Sequence, residues 1–203
     1  TFDDGNGNTS TATQNVIVDD VTAPTAPTIA DATGECSVTV TAPTATDNCG
    51  GTVTGTTSDP TTYSTQGSYT VTWTFDDGNG NTSTATQNVI VDDVTAPAAP
   101  GSLPDVVAEC SATLTAPTAS DNCAGTITAT TTDPVSYIAQ GNYTVTWTFD
   151  DGNGNVSSVD QNVIIDDVTA PSAPTIADAT GECSVSVTAP TATDNCAGTV
   201  TGT

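Results

Sequence analysis

The chain has 203 residues and a formal net charge of −24, because it contains 24 Asp and Glu residues and no Lys, Arg or His. This composition excludes phosphate recognition by basic side chains, and with it nucleic-acid binding, and an anionic membrane surface would repel the chain. Most general-base and Schiff-base catalysis needs the missing His and Lys. Paired acids could serve glycoside hydrolysis, but here they are adjacent in sequence, recur in every repeat and are predicted in turns rather than a cleft, so we expect a protein without enzymatic activity. No stretch is apolar enough for membrane insertion.

A long repeat organises the sequence. The motif DDVTAP begins at Asp19, Asp92 and Asp166, which are 73 and 74 residues apart. This period is typical of a small independent β-domain rather than a solenoid coil. We therefore predict four parts: the C-terminal part of a repeat (1–18), two complete repeats (19–91 and 92–165), and the N-terminal part of another (166–203). The chain lacks a starting Met and a signal peptide, and we expect it to be a segment of a longer array.

Alternating apolar and polar residues predict strands throughout the first complete repeat. Gly, Pro, Asn and Asp separate these runs, as turns require. The strongest pattern places Tyr69, Val71, Trp73 and Phe75 on one face, where we expect them to form the core. Helices are not predicted anywhere, so the fold class is all-β, with tandem immunoglobulin-like β-sandwich repeats. The predicted strands cover 36–41, 51–57, 68–75 and 83–91, with short edge strands near Thr28 and Thr62.

Six cysteines occur as three pairs with identical spacing: Cys36/Cys49, Cys110/Cys123 and Cys183/Cys196. An even, regular count predicts disulfides in an oxidising compartment, and we expect each to close a short loop within its own repeat. Zinc is the alternative, although two thiols per repeat without His would require Asp or a second repeat to complete four ligands.

Several motifs together resemble the hyalin repeat (HYR) family of extracellular immunoglobulin-like domains. They are DNC at Asp47, the G-x-Y-x-V-x-W strand from Gly67, the Asp/Gly/Asn turn after it, and a Pro shortly after the final strand. The resemblance covers both complete repeats and both partial ones. It implies an extracellular β-sandwich domain and leaves the function open.

Extreme acidity, Thr richness and near-identical copies also resemble the very large surface adhesins of gliding Bacteroidota, of the SprB type. That resemblance implies secretion, attachment to the cell surface, and adhesion in gliding motility. Surface polysaccharide or another substratum would then be the adhesive partner.

The turn sequence DGNGN at Asp77 places side-chain oxygens at alternate positions, as calcium loops do. The same letters also form an ordinary hairpin turn with solvated acids. In an immunoglobulin-like fold, the turn between the last two strands lies where the chain enters the domain, beside the linker acids. Because several carboxylates would converge there, we predict bound calcium. The candidate ligands are Asp19, Asp20, Asp76, Asp77, Asn79, Asn81, Asp92, Asp93, Asp150, Asp151, Asn153 and Asn155.

Asp47 and Asp121 are further candidate calcium ligands, because the loop after the first strand could share the same pole. A Cys36–Cys49 disulfide would fold residues 42–48 back and draw Asp47 away from it. We therefore expect the linker and turn acids to be the more important ligands.

The sequence predicts part of a long extracellular filament. Calcium at the repeat junctions would stiffen the tandem repeats into an elongated rod, and neighbouring repeats would be its partners. Two alternatives stay open: a module that binds carbohydrate or protein, and a passive spacer for another domain of the parent chain.

Overall fold

The computed structural model describes all 203 residues, and its secondary structure consists of strands and turns alone. The all-β prediction is confirmed. No helix is present that could serve as a membrane span. The chain forms two compact units, Thr1–Asp92 (unit 1) and Asp93–Thr203 (unit 2). Unit 1 contains the predicted parts 1–18 and 19–91 together with Asp92, and unit 2 contains residues 93–165 and 166–203. The finer division, the immunoglobulin-like topology and the rod stay predictions.

Unit 1 is built on a long hairpin between two strands of ten residues each, β8 and β9. A short strand, β3, pairs with β9 in parallel, while β4 pairs with β7 and β5 with β6 in antiparallel fashion. The strands of unit 1 are β1 (Phe2–Asp3), β2 (Thr9–Ser10), β3 (Ala32–Gly34), β4 (Val38–Thr39), β5 (Thr44–Asp47), β6 (Gly51–Thr54), β7 (Thr62–Tyr63), β8 (Gly67–Asp76) and β9 (Thr82–Val91).

The core of unit 1 follows from the period of two along β8. Val71, Trp73 and Phe75 point to one face and are buried, as the alternation predicts. Tyr69 is half-buried at the end of this face and packs on Tyr63, with ring centroids 4.5 Å apart. The other buried core residues come from β4, β5, β9 and the residue after β4: Val38, Val40, Ala45, Val89 and Val91. The β4–β7 pair therefore packs against the sheet that contains β8.

Unit 2 has the same arrangement of strands as unit 1, although its sequence is similar rather than identical. Its ten-residue hairpin pairs β15 with β16, and β10 joins β16 in parallel. Val145, Trp147 and Phe149 occupy its core as Val71, Trp73 and Phe75 do in unit 1. The strands of unit 2 are β10 (Val106–Ala108), β11 (Ala112–Thr113), β12 (Thr118–Asp121), β13 (Gly125–Thr128), β14 (Ser136–Tyr137), β15 (Gly141–Asp150), β16 (Val156–Ile165), β17 (Thr191–Asp194) and β18 (Gly198–Thr201).

The observed strands differ from the predicted ones mainly in the first half of the repeat. The predicted strand 36–41 is reduced to the two residues of β4. The sequence did not predict β5, which follows Pro43 directly and is only four residues long. The edge strand expected near Thr28 lies a few residues later, as β3. These short strands carry too little alternation to be recognised, and their pairing with distant segments decides where they form.

The predicted disulfide pairing within repeats is wrong. Cys110 is bonded to Cys196, so this bridge joins the second complete repeat to the partial repeat that follows it. Cys36 and Cys123 are likewise disulfide-bonded, whereas Cys49 and Cys183 are exposed free thiols. Identical spacing within each repeat could not distinguish a bond inside one repeat from a bond between successive repeats. The disulfides indicate an oxidising, extracellular environment.

Replacing Phe75 by Ala should destabilise unit 1 by about 3–5 kcal/mol, because it removes a fully buried ring from the core. Urea denaturation in a Trp147→Phe background would measure this, with Trp73 fluorescence reporting on unit 1 alone. Phe2→Ala is the matched control, because Phe2 occupies the same TFDDGNGN motif but is 67% exposed. Equal losses from the two variants would contradict the assigned core.

Candidate metal centres

Three acidic side chains from separate segments meet in unit 1. Carboxylate oxygens of Asp20, Asp47 and Asp77 all lie within 4.8 Å of one another. Asp20 belongs to the DDVTAP segment that leads into the repeat, Asp47 ends β5, and Asp77 begins the turn between β8 and β9. The structure thus brings together one predicted residue from each of the three segments. We call this group the Asp47 cluster.

Asp47 is the most deeply buried member, with only 5% of its surface exposed. Its Oδ1 accepts hydrogen bonds from the backbone N–H groups of Cys49 and Gly50, and these bonds shape the turn between β5 and β6. Its Oδ2 is buried without any hydrogen-bond partner. A buried, unpartnered carboxylate oxygen is costly, because it has lost water and gained no donor in return. This oxygen is therefore without the hydrogen-bond donor or cation that a buried carboxylate requires.

The β8–β9 turn is fastened to the leading segment by asparagine side chains. Asn81 Nδ2 donates to the backbone carbonyl of Asp20 at 3.0 Å and to Asp77 Oδ2 at 2.7 Å. Asn79 Nδ2 donates to Asp20 Oδ2 at 3.3 Å. Asp77 Oδ1 accepts the backbone N–H groups of both asparagines, so the turn is closed by its own aspartate. In this structure Asn79 and Asn81 position the acids through their N–H groups.

Hydrogen bonding and negative charge shift two pKa values around this cluster. The hydrogen bond from the Asn81 side chain lowers the pKa of Asp77, and loss of water opposes this only in part. The pKa of the Cys49 thiol shifts in the opposite direction: partial loss of water around this exposed thiol raises its pKa, and the negative charges of Asp20 and Asp47 add to the rise. Asp77 is therefore ionised at neutral pH, so its charge adds to the negative potential around Cys49.

Unit 2 contains an equivalent cluster of Asp93, Asp121 and Asp151, with carboxylate oxygens within 4.8 Å of one another. Asp121 Oδ2 is again buried without a hydrogen-bond partner, and Asp93 is only 3% exposed. Asn155 Nδ2 donates to the carbonyl of Asp93 and to Asp151 Oδ2, both at 2.8 Å. Burial works to raise the pKa of Asp151, but hydrogen bonds from Asn155 and the turn backbone lower it overall. We call this group the Asp121 cluster.

Only one member of each of four Asp–Asp pairs joins a cluster: Asp20, Asp77, Asp93 or Asp151. Asp19, Asp76, Asp92 and Asp150 are exposed and lie outside both groups. Asp76 and Asp150 instead accept the backbone N–H groups of Gly78 and Gly152. In extended chain, successive side chains point to opposite sides, so adjacent acids cannot both face the same centre. Asn153, equivalent to Asn79, donates to Asp93 Oδ2 at 3.1 Å.

The corrected disulfide pairing removes the reason for expecting Asp47 to lie away from the cluster. The sequence-based doubt about this residue came from the assumed bond between Cys36 and Cys49. Cys49 is a free thiol in the structure, so no covalent bond pulls residues 42–48 back toward Cys36. The β5–β6 hairpin instead brings Asp47 to the leading segment, where Thr25 N–H donates to the carbonyl of Thr46.

Unit 2 contains another group of potential metal ligands, formed by Glu109, Asp167 and Cys196. This group is less suited to a metal than the two clusters. The Cys196 sulfur is bonded to Cys110 and has no thiolate to offer a metal. Both Glu109 carboxylate oxygens accept a hydrogen bond from Thr169 Oγ1, at 2.9 and 3.0 Å. Unlike Asp47 and Asp121, this carboxylate is satisfied within the protein.

The chain matches no protein-family model and no curated protein sequence. Among solved structures, it is similar to two endo-fucoidan hydrolases of glycoside hydrolase family 107. MfFcnA9 is 14% identical with a TM-score of 0.20, and the match covers 63% of this chain and 28% of that one. MfFcnA4 is 16% identical with a TM-score of 0.19, and the match covers 73% of this chain and 28% of that one. The resemblance to hyalin repeats and to surface adhesins stays a prediction.

The expectation of a protein without enzymatic activity is contradicted by these matches, because both structures are named as hydrolases. We withdraw that expectation. It rested on the missing His and Lys and on the position of the acid pairs in turns, although carboxylates alone suffice for glycoside hydrolysis. At these TM-scores the likeness assigns no activity, substrate or catalytic residue to this chain.

Replacing Asn81 by Ala should raise the pKa of Asp77, because it removes the side-chain hydrogen bond that favours the ionised form. In the native chain, the stability from this depressed pKa is present above the unfolded value of about 3.9 and is lost as pH falls through the folded value. Carboxyl ¹³C shifts recorded against pH in the presence of chelator would measure the change. Asn8→Ala should raise the pKa of Asp4 through the same contact and leave Asp77 unchanged.

Proposed function

We propose that this chain is a calcium-binding structural segment of an extracellular surface protein, built from tandem β-repeats. The observation that carries the proposal is the buried, unpartnered Oδ2 of Asp47 within a group of three carboxylates, which recurs around Asp121. Without any Lys, Arg or His, the chain cannot neutralise either cluster with its own side chains. A bound cation would supply both the missing partner and the missing charge.

The donor set favours calcium over other common metals. Calcium accepts six to eight oxygen ligands in flexible geometry, and carboxylates, backbone carbonyls and water all suit it. Magnesium demands a stricter octahedron and keeps more of its waters. Zinc and copper prefer imidazole or thiolate, and His is absent from the sequence. Asp20, Asp47 and Asp77 would contribute carboxylate oxygens, and water would complete the coordination.

Calcium would act on the repeat by joining three segments that are distant in sequence. The Asp47 cluster contains the segment that leads into the repeat, the β5–β6 turn and the β8–β9 turn. In the calcium-free protein, mutual repulsion of these carboxylates would loosen the same three segments. The cation would thus order the repeat where the chain passes into it from residues 1–18. Stiffening of this kind suits a segment that displays an adhesive part away from a cell; polysaccharide or another substratum as its target stays a prediction.

Calcium should raise the unfolding temperature of the chain, and chelator should reverse the effect. Binding to the folded state alone stabilises it by about 2.7 kcal/mol at a free calcium concentration 100 times the dissociation constant. Differential scanning calorimetry would measure the shift, and isothermal titration calorimetry should give two sites per chain, one for each cluster. An unchanged unfolding temperature together with no heat of binding would refute the proposal.

Asp47→Asn gives a sharper test, because it should act in opposite directions with and without calcium. The amide oxygen can still accept the turn N–H groups, and the change removes one negative charge from the cluster. In chelator, the variant should unfold at the same temperature as the wild type or at a higher one. In calcium, it should lose most of the stabilisation of unit 1. Asp19→Asn is the matched control, because Asp19 is exposed and outside the cluster, so its calcium response should be unchanged.

A further inference from the structure

Two of the turns that build the metal clusters contain asparagine followed directly by glycine. The steps are Asn79–Gly80 in unit 1 and Asn153–Gly154 in unit 2, and elsewhere the chain has this pair only at Asn6–Gly7. Glycine has no side chain to hinder attack of its backbone nitrogen on the preceding asparagine side chain, which is the first step of deamidation. The fold therefore places a chemically reactive step beside each cluster.

The backbone of the turn requires these glycines. Gly80 has a φ of +101° and Gly154 a φ of +106°, a region that residues with a side chain rarely adopt. A Cβ atom at either position would meet no neighbouring atom within 4 Å, so backbone conformation rather than crowding selects glycine. The turn that shapes the cluster thus demands the residue that makes the asparagine reactive.

The turn exposes one of its two asparagines to this reaction and protects the other. Asn79 and Gly80 are exposed to solvent, and the Gly80 N–H makes no hydrogen bond within the protein. Asn81 is half-buried, and its Nδ2 donates two hydrogen bonds. The next residue, Thr82, is β-branched and hinders attack by its own backbone nitrogen. Reactivity in this turn is therefore confined to Asn79.

Deamidation would change the charge of the cluster directly. Asn79 Nδ2 donates to Asp20 Oδ2 at 3.3 Å, and Asn153 Nδ2 donates to Asp93 Oδ2 at 3.1 Å. Conversion of either amide to an acid replaces the donor by a carboxylate. A hydrogen bond then becomes a contact between two like charges, and one more oxygen ligand lies beside the three carboxylates.

We propose that Asn79 and Asn153 deamidate spontaneously, and that conversion to aspartate adds a fourth carboxylate to each cluster and strengthens calcium binding there. The reaction itself stands on the geometry of the turns, whereas the gain in affinity rests on the proposed calcium function and deepens it. Calcium affinity rises with the number of charged ligands. Because the reaction is irreversible, the protein acquires tighter sites as it ages.

The reaction needs only water and a base. The base removes the proton of the Gly80 backbone nitrogen, which attacks Cγ of Asn79 and forms a C–N bond. The bond between Cγ and Nδ2 then breaks, and the amide nitrogen takes up a proton and leaves as ammonia, so a succinimide ring remains. Water adds to either ring carbonyl and gives aspartate or isoaspartate at position 79. No oxidant or reductant takes part.

Mass spectrometry of the folded chain after incubation at alkaline pH locates the reaction. A protease that cleaves before Asp should release residues 77–91 and 151–159, which contain the two sites. We expect Asn79 and Asn153 to gain the mass difference between an amide and an acid, while Asn81 and Asn155 in the same peptides stay amides. Aspartate formed at position 79 creates a new cleavage site for this protease and isoaspartate does not, so the two products can be distinguished.

A sample unfolded in urea serves as the reference for this measurement. Equally fast conversion of Asn81 or Asn155 in the folded chain would overturn the proposed selectivity. Intact amides at Asn79 and Asn153 after the unfolded sample has reacted there would overturn the proposed reaction. Asn79→Gln is the control variant, because its longer side chain disfavours ring closure. Residues 77–91 should then stay unmodified while Asn153 reacts at the wild-type rate.

Asn79→Asp reproduces the aspartate product and tests its effect on the cluster. In chelator, unit 1 of this variant should unfold at a lower temperature than in the wild type, because the added carboxylate faces Asp20. In calcium, titration calorimetry should show one of the two sites binding about tenfold more tightly, since an added charged ligand raises affinity. Asn6→Asp is the matched control, because Asn6 occupies the same motif outside both clusters and should leave both dissociation constants unchanged.

The outcomes separate this inference from the proposed function. If the wild type binds two calcium ions and Asn79→Asp binds no more tightly, the gain in affinity is refuted and the calcium function stands. If the wild type binds no calcium, the calcium function is refuted together with the gain in affinity. The deamidation of Asn79 and Asn153 is decided by mass spectrometry in either case.

Discussion

The main constraint on this structure is its excess of negative charge, which no side chain of the protein can neutralise. With 24 carboxylates and no basic side chain, the charges are stabilised by hydrogen bonds rather than side-chain ion pairs. Backbone N–H groups and asparagine amides are the donors, as in the turns closed by Asp47 and Asp77. This works while carboxylates are separated and partly in water. Where three of them meet, one buried oxygen has no hydrogen-bond partner, and this is the position at which we propose a cation.

Disulfide bonds add stability that the small hydrophobic cores do not supply. Each complete repeat buries only a small core around one tryptophan and one phenylalanine, which limits the stability available from burial alone. The Cys110–Cys196 disulfide adds stability and also fixes one repeat to the next.

The two complete repeats show which features the fold requires. Their sequences differ most before the first cysteine, where residues 101–108 of the second repeat replace 28–34 of the first. Both repeats nevertheless form a parallel strand in this segment, an aromatic core and a cluster of three acids. Both also form the short hairpin, which is β5–β6 in the first repeat and β12–β13 in the second. Cluster geometry thus does not depend on the identity of that segment. It depends on the hairpin turn and on the Asn–Asp contacts, which both repeats share.

Sequence alone determined the all-β class, the long hairpin and its buried face, because alternation along β8 needs no knowledge of distant segments. It also identified the linker and turn acids as a group. Only the tertiary structure decided that one acid of each pair turns inward, that Asp47 completes the cluster, and that Cys110 reaches Cys196 rather than Cys123. Local sequence fixes which face a residue occupies, whereas these outcomes depend on which distant segments meet. Because the repeats have nearly the same sequence, equivalent segments cannot be told apart by sequence, and only the tertiary structure shows which of them pair.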